Sequence, residues 1–369
     1  MGGGPDTLHD NILVVLPIPE PAGILDGLRE KFPHVTITYY DQRKPDGKAL
    51  PSTEIDPAIY KDKTILVTLS ALPPTPESCP KLSLIHFFSA GIDKLTHHPL
   101  YTSTDITLTT SSGIHGPQIA EWVVMTALVH SHKYNQLYEL QKQNRWGKLS
   151  MDTDYHKVRD MVGQRLGVLG YGSIGRQVAR VGKAMGMDVV AYTASPKDTP
   201  EKRRDNGFIV PGTGDPEGEI PSAWFSGTSK ESLDHFLKQE IDVLLISVPL
   251  TKQTTHLLSA REFAHLSTSS PRGPAFIANI SRGPIIDQPA LVDALHIGFI
   301  RGAALDVTDP EPLPPDDPLW DAPNVIITPH VSGVGVSYTE RAFQVLEMNL
   351  GRRGRGERLV NVVDRGRGY

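Results

Sequence analysis

Apolar residues come in short runs along this chain, separated by polar stretches that are either turn-rich or helical in spacing. From Asn11 to about Thr110 the runs are Ile12–Leu16, Val35–Tyr39, Ile65–Leu69, Leu84–Phe88 and Ile106–Thr109. Runs this short, bounded by turn signals, read as strands, and their alternation with helical stretches predicts a compact α/β unit. Pro117 to Gln143 predicts one long helix. Pro117 suits the first turn, and Ile119, Trp122, Val123, Met125, Thr126 and Val129 line one face. A second series follows: Leu166–Leu169, Val189–Tyr192, Val243–Val248, Ala275–Ala278, Ala303–Val307 and Val325–Thr328, with helical stretches such as Ile174–Met185 and Pro289–Ile297 between them. Six strands joined by right-handed helical crossovers describe a doubly wound parallel sheet. Pro196–Lys238 exceeds an ordinary crossover and contains Pro211-Gly212-Thr213-Gly214-Asp215-Pro216, so an inserted surface loop, at about 196–238, is expected there.

Composition narrows the function classes. The 369 residues are enough for two medium domains. A formal net charge of -5 gives no broad attraction for nucleic acid or anionic lipid, so neither partner is expected. Arg352, Arg353, Arg355, Arg358, Arg365 and Arg367 in the tail read as a nucleic-acid arm or as a solvated end; without interleaved aromatics the second is preferred. The single cysteine, Cys79, excludes an intramolecular disulfide and any CxxC site, and His86, His97, His98 and His115 lack ligand spacing, so no metal is expected. No apolar run reaches the roughly 18 residues of a spanning helix. The start, Met1-Gly2-Gly3-Gly4-Pro5-Asp6, matches neither a secretory signal nor a myristoylation pattern. Asn279-Ile280-Ser281 formally matches a glycosylation acceptor, but the default expectation is a cytoplasmic protein that never meets that machinery.

Leu166–Leu169 runs into Gly170-Tyr171-Gly172-Ser173-Ile174-Gly175 and then into a helix with Ile174, Val178, Val181 and Met185 at helical spacing. In that context G-x-G-x-x-G is a dinucleotide loop. Gly170 allows the tight turn, Gly172 the approach of backbone to pyrophosphate, and Gly175 close helix packing, while the helix N-terminus offers free N–H groups. The next strand chooses the dinucleotide. An Asp or Glu at its tip would bind ribose hydroxyls and mark NAD. Here Val189–Tyr192 is followed by Thr193-Ala194-Ser195-Pro196-Lys197, with no carboxylate at the tip. Thr193, Ser195 and Lys197 suit a 2'-phosphate, so the reading leans to NADP(H); against it stand nearby Asp198 and the distance of Arg203 and Arg204 along the loop.

Ligands of open α/β sheets sit beyond the carboxyl ends of the strands. Three later strands end in reactive side chains: Arg282 after Ala275–Ala278, Asp306 after Ala303–Leu305 with Glu311 five residues on, and His330 after Val325–Thr328. A cation to grip a carboxylate, an acid/base and a companion carboxylate suit hydride transfer to a carbonyl. Singly, each has a plainer reading as a surface ion pair, a turn former or a satisfied histidine; jointly, on one sheet edge, they point to catalysis.

Gly170–Gly175, Val248-Pro249-Leu250-Thr251, Asn279-Ile280-Ser281-Arg282-Gly283, Ala303-Ala304-Leu305-Asp306-Val307, Glu311-Pro312-Leu313 and Thr328-Pro329-His330 resemble, in order, the D-isomer-specific 2-hydroxyacid dehydrogenases. The resemblance runs from about Leu82 onward and is dense after Gly163. It implies a Rossmann domain (117–330, a six-stranded doubly wound parallel sheet) inserted into a smaller flavodoxin-like α/β substrate domain (1–116 and 331–369), with Asn361-Val362-Val363 returning to the first part. It also implies roles. Arg282 would bind the substrate carboxylate and polarise the oxo group, and His330 would donate the proton in reduction. Glu311 would hold the far nitrogen of His330, and Asp306 would help position the nicotinamide. Val248, Pro249, Thr254, Ile280, Ser281 and Gly333 would complete the coenzyme site, and backbone N–H groups in Ser89-Ala90-Gly91 would face the substrate carboxylate. A homodimer built on the long helix is the family's usual assembly.

The resemblance makes NAD(P)H-dependent reduction of a small 2-oxo acid to its D-2-hydroxy acid the expected activity, with glyoxylate and hydroxypyruvate as first candidates. Formate is disfavoured, because formate dehydrogenases carry Gln where Glu311 stands. The alternative is a dinucleotide-sensing corepressor-like binding protein without turnover, which the joint presence of Arg282, Glu311 and His330 disfavours. A short-chain dehydrogenase would place its Tyr-x-x-x-Lys pair after the fourth nucleotide-domain strand, whereas Tyr134, Tyr138 and Tyr155 precede the glycine loop.

Overall fold

The apolar runs of the first third become the strands of one parallel sheet. In the computed structural model, which describes residues 9–147 and 157–366, β1 (Asn11–Leu16), β2 (Thr36–Asp41), β3 (Ile65–Thr68), β4 (Leu84–Phe87) and β5 (Thr107–Thr110) form a parallel sheet in the order β2-β1-β3-β4-β5. The glycine-rich start, Tyr155 and Arg367 lie outside the described residues. Burial of β3 and β4 at every position explains why their sequences run continuously apolar instead of alternating. Helices α1 (Ala22–Lys31) and α2 (Pro99–Thr102) belong to the same unit, which comprises Met1–Ile114 and Val336–Tyr369. Its late segment is a helix, Tyr338–Gly354, that buries Ala342, Phe343, Val345 and Leu346. The chain then returns to β5: Thr110 N donates to Asn361 O (3.1 Å) and Val363 N to Leu108 O (2.9 Å).

The second unit is His115–Gly335. It opens with α3 (Gly116–Ser131) and α4 (Tyr134–Lys142). Then come β6 (Arg165–Leu169), α5 (Ser173–Ala184), β7 (Asp188–Thr193), α6 (Pro200–Arg203), β8 (Ala223–Ser226) and α7 (Lys230–Leu237). The last stretch holds β9 (Val243–Ile246), α8 (Ala260–Thr268), β10 (Phe276–Asn279), α9 (Gln288–His296), β11 (Gly302–Leu305) and β12 (Val325–Ile327), so the late helix of the first unit is α10. All seven strands pair in parallel, in the order β12-β11-β10-β9-β6-β7-β8. The direction of winding reverses between β6 and β9, which is where a doubly wound sheet opens its ligand crevice. One face packs Leu244, Ile246, Phe263, Leu266 and Ile277 together; the other packs Val168, Val178, Val189 and Leu245 with Trp122 and Val123 of α3. Among the described residues no helix is long and apolar enough to cross a membrane.

Two expectations are corrected. The single helix Pro117–Gln143 is two, broken at Lys133, whose φ of 56° puts it in the left-handed region that ends a helix. Within α3, Ile119, Trp122, Val123 and Thr126 are buried as the spacing requires, whereas Met125 is 51% exposed. The second correction concerns the Pro196–Lys238 segment. It is not a surface loop throughout: it contains α6, β8 and α7, and it buries Phe208, Asp215, Leu233, Phe236 and Leu237. With β8 the sheet has seven strands rather than six, and β8 takes the third place in the 3-2-1-4-5-6 order of a Rossmann sheet. An edge strand of four half-buried residues carries too little apolar signal to be seen in sequence.

Candidate active site

The phosphate loop is held by close contacts that only glycine permits. Gly170 has φ of +102°, and a Cβ there would lie 2.7 Å from the carbonyl of Ser247, across the reversal point. A Cβ on Gly175 would lie 2.4 Å from Gly170 O and 2.8 Å from Val168 Cγ1, so α5 packs against β6 at backbone distance. Gly172 differs: nothing stands within 4 Å of where its Cβ would be. Helix α5 starts there without a side-chain cap, Ser173 and Ile174 are half-buried, and the first-turn N–H groups are available to an anion. The open side at Gly172 and the uncapped helix start fit a pyrophosphate.

At the tip of β7 the polar groups divide their work. Thr193 gives its hydroxyl proton to Ser195 O (2.8 Å). Ser195 is exposed. Lys197 is half-buried, and burial together with the neighbouring Arg176 guanidinium holds its ammonium below the usual lysine range. Arg203, discounted in sequence as too far along, folds back: its Nε donates to Lys197 O at 2.9 Å, with the guanidinium 5.8 Å from the Trp224 ring centre. Sequence spacing carried no signal for this, because the return depends on α6.

The ends of β9 and β10 are joined. Ser281 Oγ donates to Val248 O, and Ser281 N to Asn279 Oδ1 (3.1 Å). Thr254 Oγ1 donates to Pro249 O (2.7 Å) and accepts from Thr251 N (2.7 Å), so its hydroxyl shapes the Val248–Thr251 turn. Ile280 is buried. Arg282 is half-buried, and its Nη1 donates to Ser281 O at 2.8 Å. Next to it, Gly283 lies so near the following loop that a Cβ would sit 1.9 Å from Thr308 O. The Arg282 turn and the Thr308–Glu311 loop are therefore in backbone contact.

His330 meets Glu311: Nδ1 to Oε1 is 2.8 Å, with both side chains partly open to solvent. The histidine backbone is strained, at φ 56°, a conformation that costs a non-glycine residue about 1 kcal/mol or more and persists only when its surroundings enforce it. Asp306, 1% exposed, supplies the enforcement. Its Oδ1 accepts from Thr328 Oγ1 (2.5 Å) and Val331 N (2.9 Å), and its Oδ2 from Ser332 N (2.9 Å) and Ser332 Oγ. His330 N also donates to Asp306 O at 2.8 Å. The Asp306 carboxylate is thus occupied by the turn that carries His330. Gly333 O accepts from Gln118 Nε2 of α3 at 3.0 Å.

Ser89, Ala90 and Gly91 follow β4 in the first unit, with Ala90 and Gly91 exposed. Ser89 Oγ donates to Gly91 O (2.8 Å), Ser111 N to Ser89 O (3.0 Å), and Tyr338 OH to Phe88 O (2.7 Å). Tyr138 and Lys142 do stand at Tyr-x-x-x-Lys spacing, but on α4 ahead of the glycine loop, with Lys142 paired to Glu139 at 2.6 Å.

A glycine loop at the reversal point and a His330–Glu311 pair beyond the strand ends suit a dinucleotide-dependent oxidoreductase, and comparison with known proteins agrees. The model of the D-isomer specific 2-hydroxyacid dehydrogenase NAD-binding domain matches residues 124–210 and 215–332, and the chain belongs to this family. It is an NAD(P)-dependent dehydrogenase acting on small 2-oxo/2-hydroxy acids. A glyoxylate reductase of Korarchaeum cryptofilum is 28% identical over 320 residues, covering 86% of this chain and 87% of the relative. A glyoxylate/hydroxypyruvate reductase B of Yersinia enterocolitica is 30% identical over 256 residues, 69% of each. The crystal structure of an NADPH-dependent glyoxylate/hydroxypyruvate reductase from Sinorhizobium meliloti, in complex with NADP and sulfate, superposes with a TM-score of 0.73 at 26% identity, covering 98% of this chain and 100% of that one.

Proposed function

We propose that this protein is a cytoplasmic, homodimeric reductase that converts glyoxylate to glycolate or hydroxypyruvate to its D-2-hydroxy acid, with NADPH preferred over NADH. The observation that carries the reading is the His330–Glu311 pair at 2.8 Å on a strained turn locked by Asp306. A bound nicotinamide supplies or accepts the hydride. Everything else falls to this chain's residues. Gly170–Gly175 holds the pyrophosphate, with Val248, Pro249, Thr254, Ile280, Ser281 and Gly333 lining the rest of the coenzyme site. Lys197, Ser195 and Arg203 face the 2'-phosphate. Arg282 grips the substrate carboxylate and polarises the oxo group, as its planar fork suits it to do. Ser89, Ala90 and Gly91, in the unit proposed to bind substrate, contribute backbone N–H groups. His330 gives a proton to the nascent alkoxide oxygen, and Glu311 orients the imidazole.

Similarity to glyoxylate and hydroxypyruvate reductases supports the substrate class, and the missing carboxylate at the β7 tip supports NADP(H). Reduction consumes a proton delivered by His330, and oxidation of the hydroxy acid returns one to it. Replacing His330→Ala is expected to lower turnover by roughly 10²–10⁴-fold, as for a general acid, with coenzyme affinity retained. A reduction rate within about tenfold of wild type would remove His330 from the mechanism.

A further inference from the structure

The segment after β7 is tied to the phosphate loop by buried polar contacts. Tyr171, the residue between Gly170 and Gly172, is 4% exposed, and its hydroxyl donates to Asp215 Oδ2 at 2.8 Å. Burial and that bond raise its phenol well above the usual tyrosine range, so the hydroxyl keeps its proton and stays a donor. Its ring meets Trp224 of β8 edge-on at 4.9 Å, and the Arg176 guanidinium lies 5.1 Å from the ring centre. Asp215 is itself buried and accepts from Glu219 N (3.0 Å) and Ile220 N (3.1 Å), so its carboxylate joins the segment on one side to Tyr171 on the other. Arg176, 4% exposed, donates to Asp215 O and Arg203 O at 2.5 Å each, and its Nε lies 3.6 Å from Asp205. Gln177 accepts from Gly214 N at 2.7 Å.

A loop of alternating glycines has many conformations to lose, and an anion site built from backbone N–H groups binds well only when they are already aimed. Tyr171 is the one residue of the Gly170–Gly172 turn with a side chain to hold. We propose that Asp215 is a positioning residue for the coenzyme site: through Tyr171 it fixes the phosphate loop in its binding form, so that the segment between β7 and β8 sets coenzyme affinity. The inference rests on reading Gly170–Gly175 as the coenzyme loop. The brace acts on the pyrophosphate end, so it affects NADPH and NADH alike; Lys197 and Arg203 act on the 2'-phosphate alone.

The test uses the full chain, without substrate, and reads the dissociation constants of NADPH and NADH by fluorescence titration beside the thermal midpoint. Tyr171→Phe keeps the ring against Trp224 and removes only the hydroxyl; Asp215→Asn removes the charge. Each is expected to weaken both coenzymes by the same factor, roughly tenfold, the usual scale for a hydrogen bond to a charged group. The double variant should be no weaker than Asp215→Asn alone, because the two changes break one interaction. A merely structural contact would lower the thermal midpoint and leave both dissociation constants unchanged, and that result in a folded Tyr171→Phe protein overturns the proposal, whether or not Asp215→Asn folds. A wild-type protein that binds neither coenzyme overturns the reading of the loop, and the proposal with it.

Discussion

Gly283→Ala inserts one methyl group where two functional loops touch. The added Cβ would lie 1.9 Å from Thr308 O, 2.1 Å from Thr308 C and 2.7 Å from Asp309 N, all backbone atoms that cannot swing aside. Neither loop is free to give way cheaply. Gly283 heads the turn closed by Ile286 N onto its own carbonyl (3.0 Å), and Asp309 N is held by Gln288 Oε1 (3.0 Å). Relief requires a backbone separation of about 1 Å or more, and overpacking of this kind costs roughly 1–3 kcal/mol. The displacement falls between Arg282, one residue before, and Glu311, three residues beyond Thr308. A misplacement of about 1 Å typically costs on the order of 10²-fold in rate, so turnover should fall by about that factor while the thermal midpoint drops by several degrees. Steady-state oxidation of NADPH with saturating glyoxylate, beside calorimetry, measures both. A variant with turnover within about threefold of wild type and an unchanged midpoint would refute the claim that this contact sets the Arg282–Glu311 geometry.

Three further outcomes follow from the same structure. Glu311→Gln replaces the carboxylate that holds the His330 ring at 2.8 Å by an amide, so turnover should drop about tenfold or more with coenzyme affinity retained; unchanged turnover contradicts the pairing. Lys197→Ala and Arg203→Ala should each raise the NADPH dissociation constant by roughly 10–100-fold, as for loss of a charge-assisted bond, with NADH unaffected; equal loss for both coenzymes would place these cations elsewhere. Burial pushes His86 down to about 4, and it lies between Thr109 Oγ1 (3.0 Å) and Ser111 Oγ (3.2 Å) as a neutral ring. Its folded value is below the unfolded one, so its contribution is complete above about pH 6.5 and is lost as pH falls toward about 4, some 3 kcal/mol in all. Denaturant titrations of wild type and His86→Gln across that window should show the smaller acid loss in the variant; parallel curves would refute the assignment.

The strand runs and the glycine loop were legible in the sequence because burial on both faces and a backbone turn each leave a local mark. Leu166–Leu169 running into Gly170–Gly175 is such a case, and so are Arg282, Asp306 and His330, each just past a strand end. The Lys133 break was not legible, since apolar spacing continues across it and only a backbone dihedral records the stop. Strand β8 was hidden by its half-buried edge position and by the turn-forming residues ahead of it. The contacts of Asp215, Arg176 and Arg203 went unread for a different reason. Their partners lie 44, 39 and 27 residues away along the chain for Tyr171–Asp215, Arg176–Asp215 and Arg176–Arg203, and no periodicity reports a contact of that separation. Asp306 was seen, but its engagement with the 328–332 turn depends on β11 and β12 lying side by side.

The central claim is tested most directly by following absorbance of the reduced coenzyme with purified wild-type protein, NADPH or NADH, and glyoxylate, hydroxypyruvate, pyruvate or phenylpyruvate in turn. The account predicts turnover with glyoxylate or hydroxypyruvate, faster at equal concentration with NADPH than with NADH, and abolished in its greater part by His330→Ala. Tight coenzyme binding with no turnover on any of the acids would contradict it and would favour a dinucleotide-sensing protein.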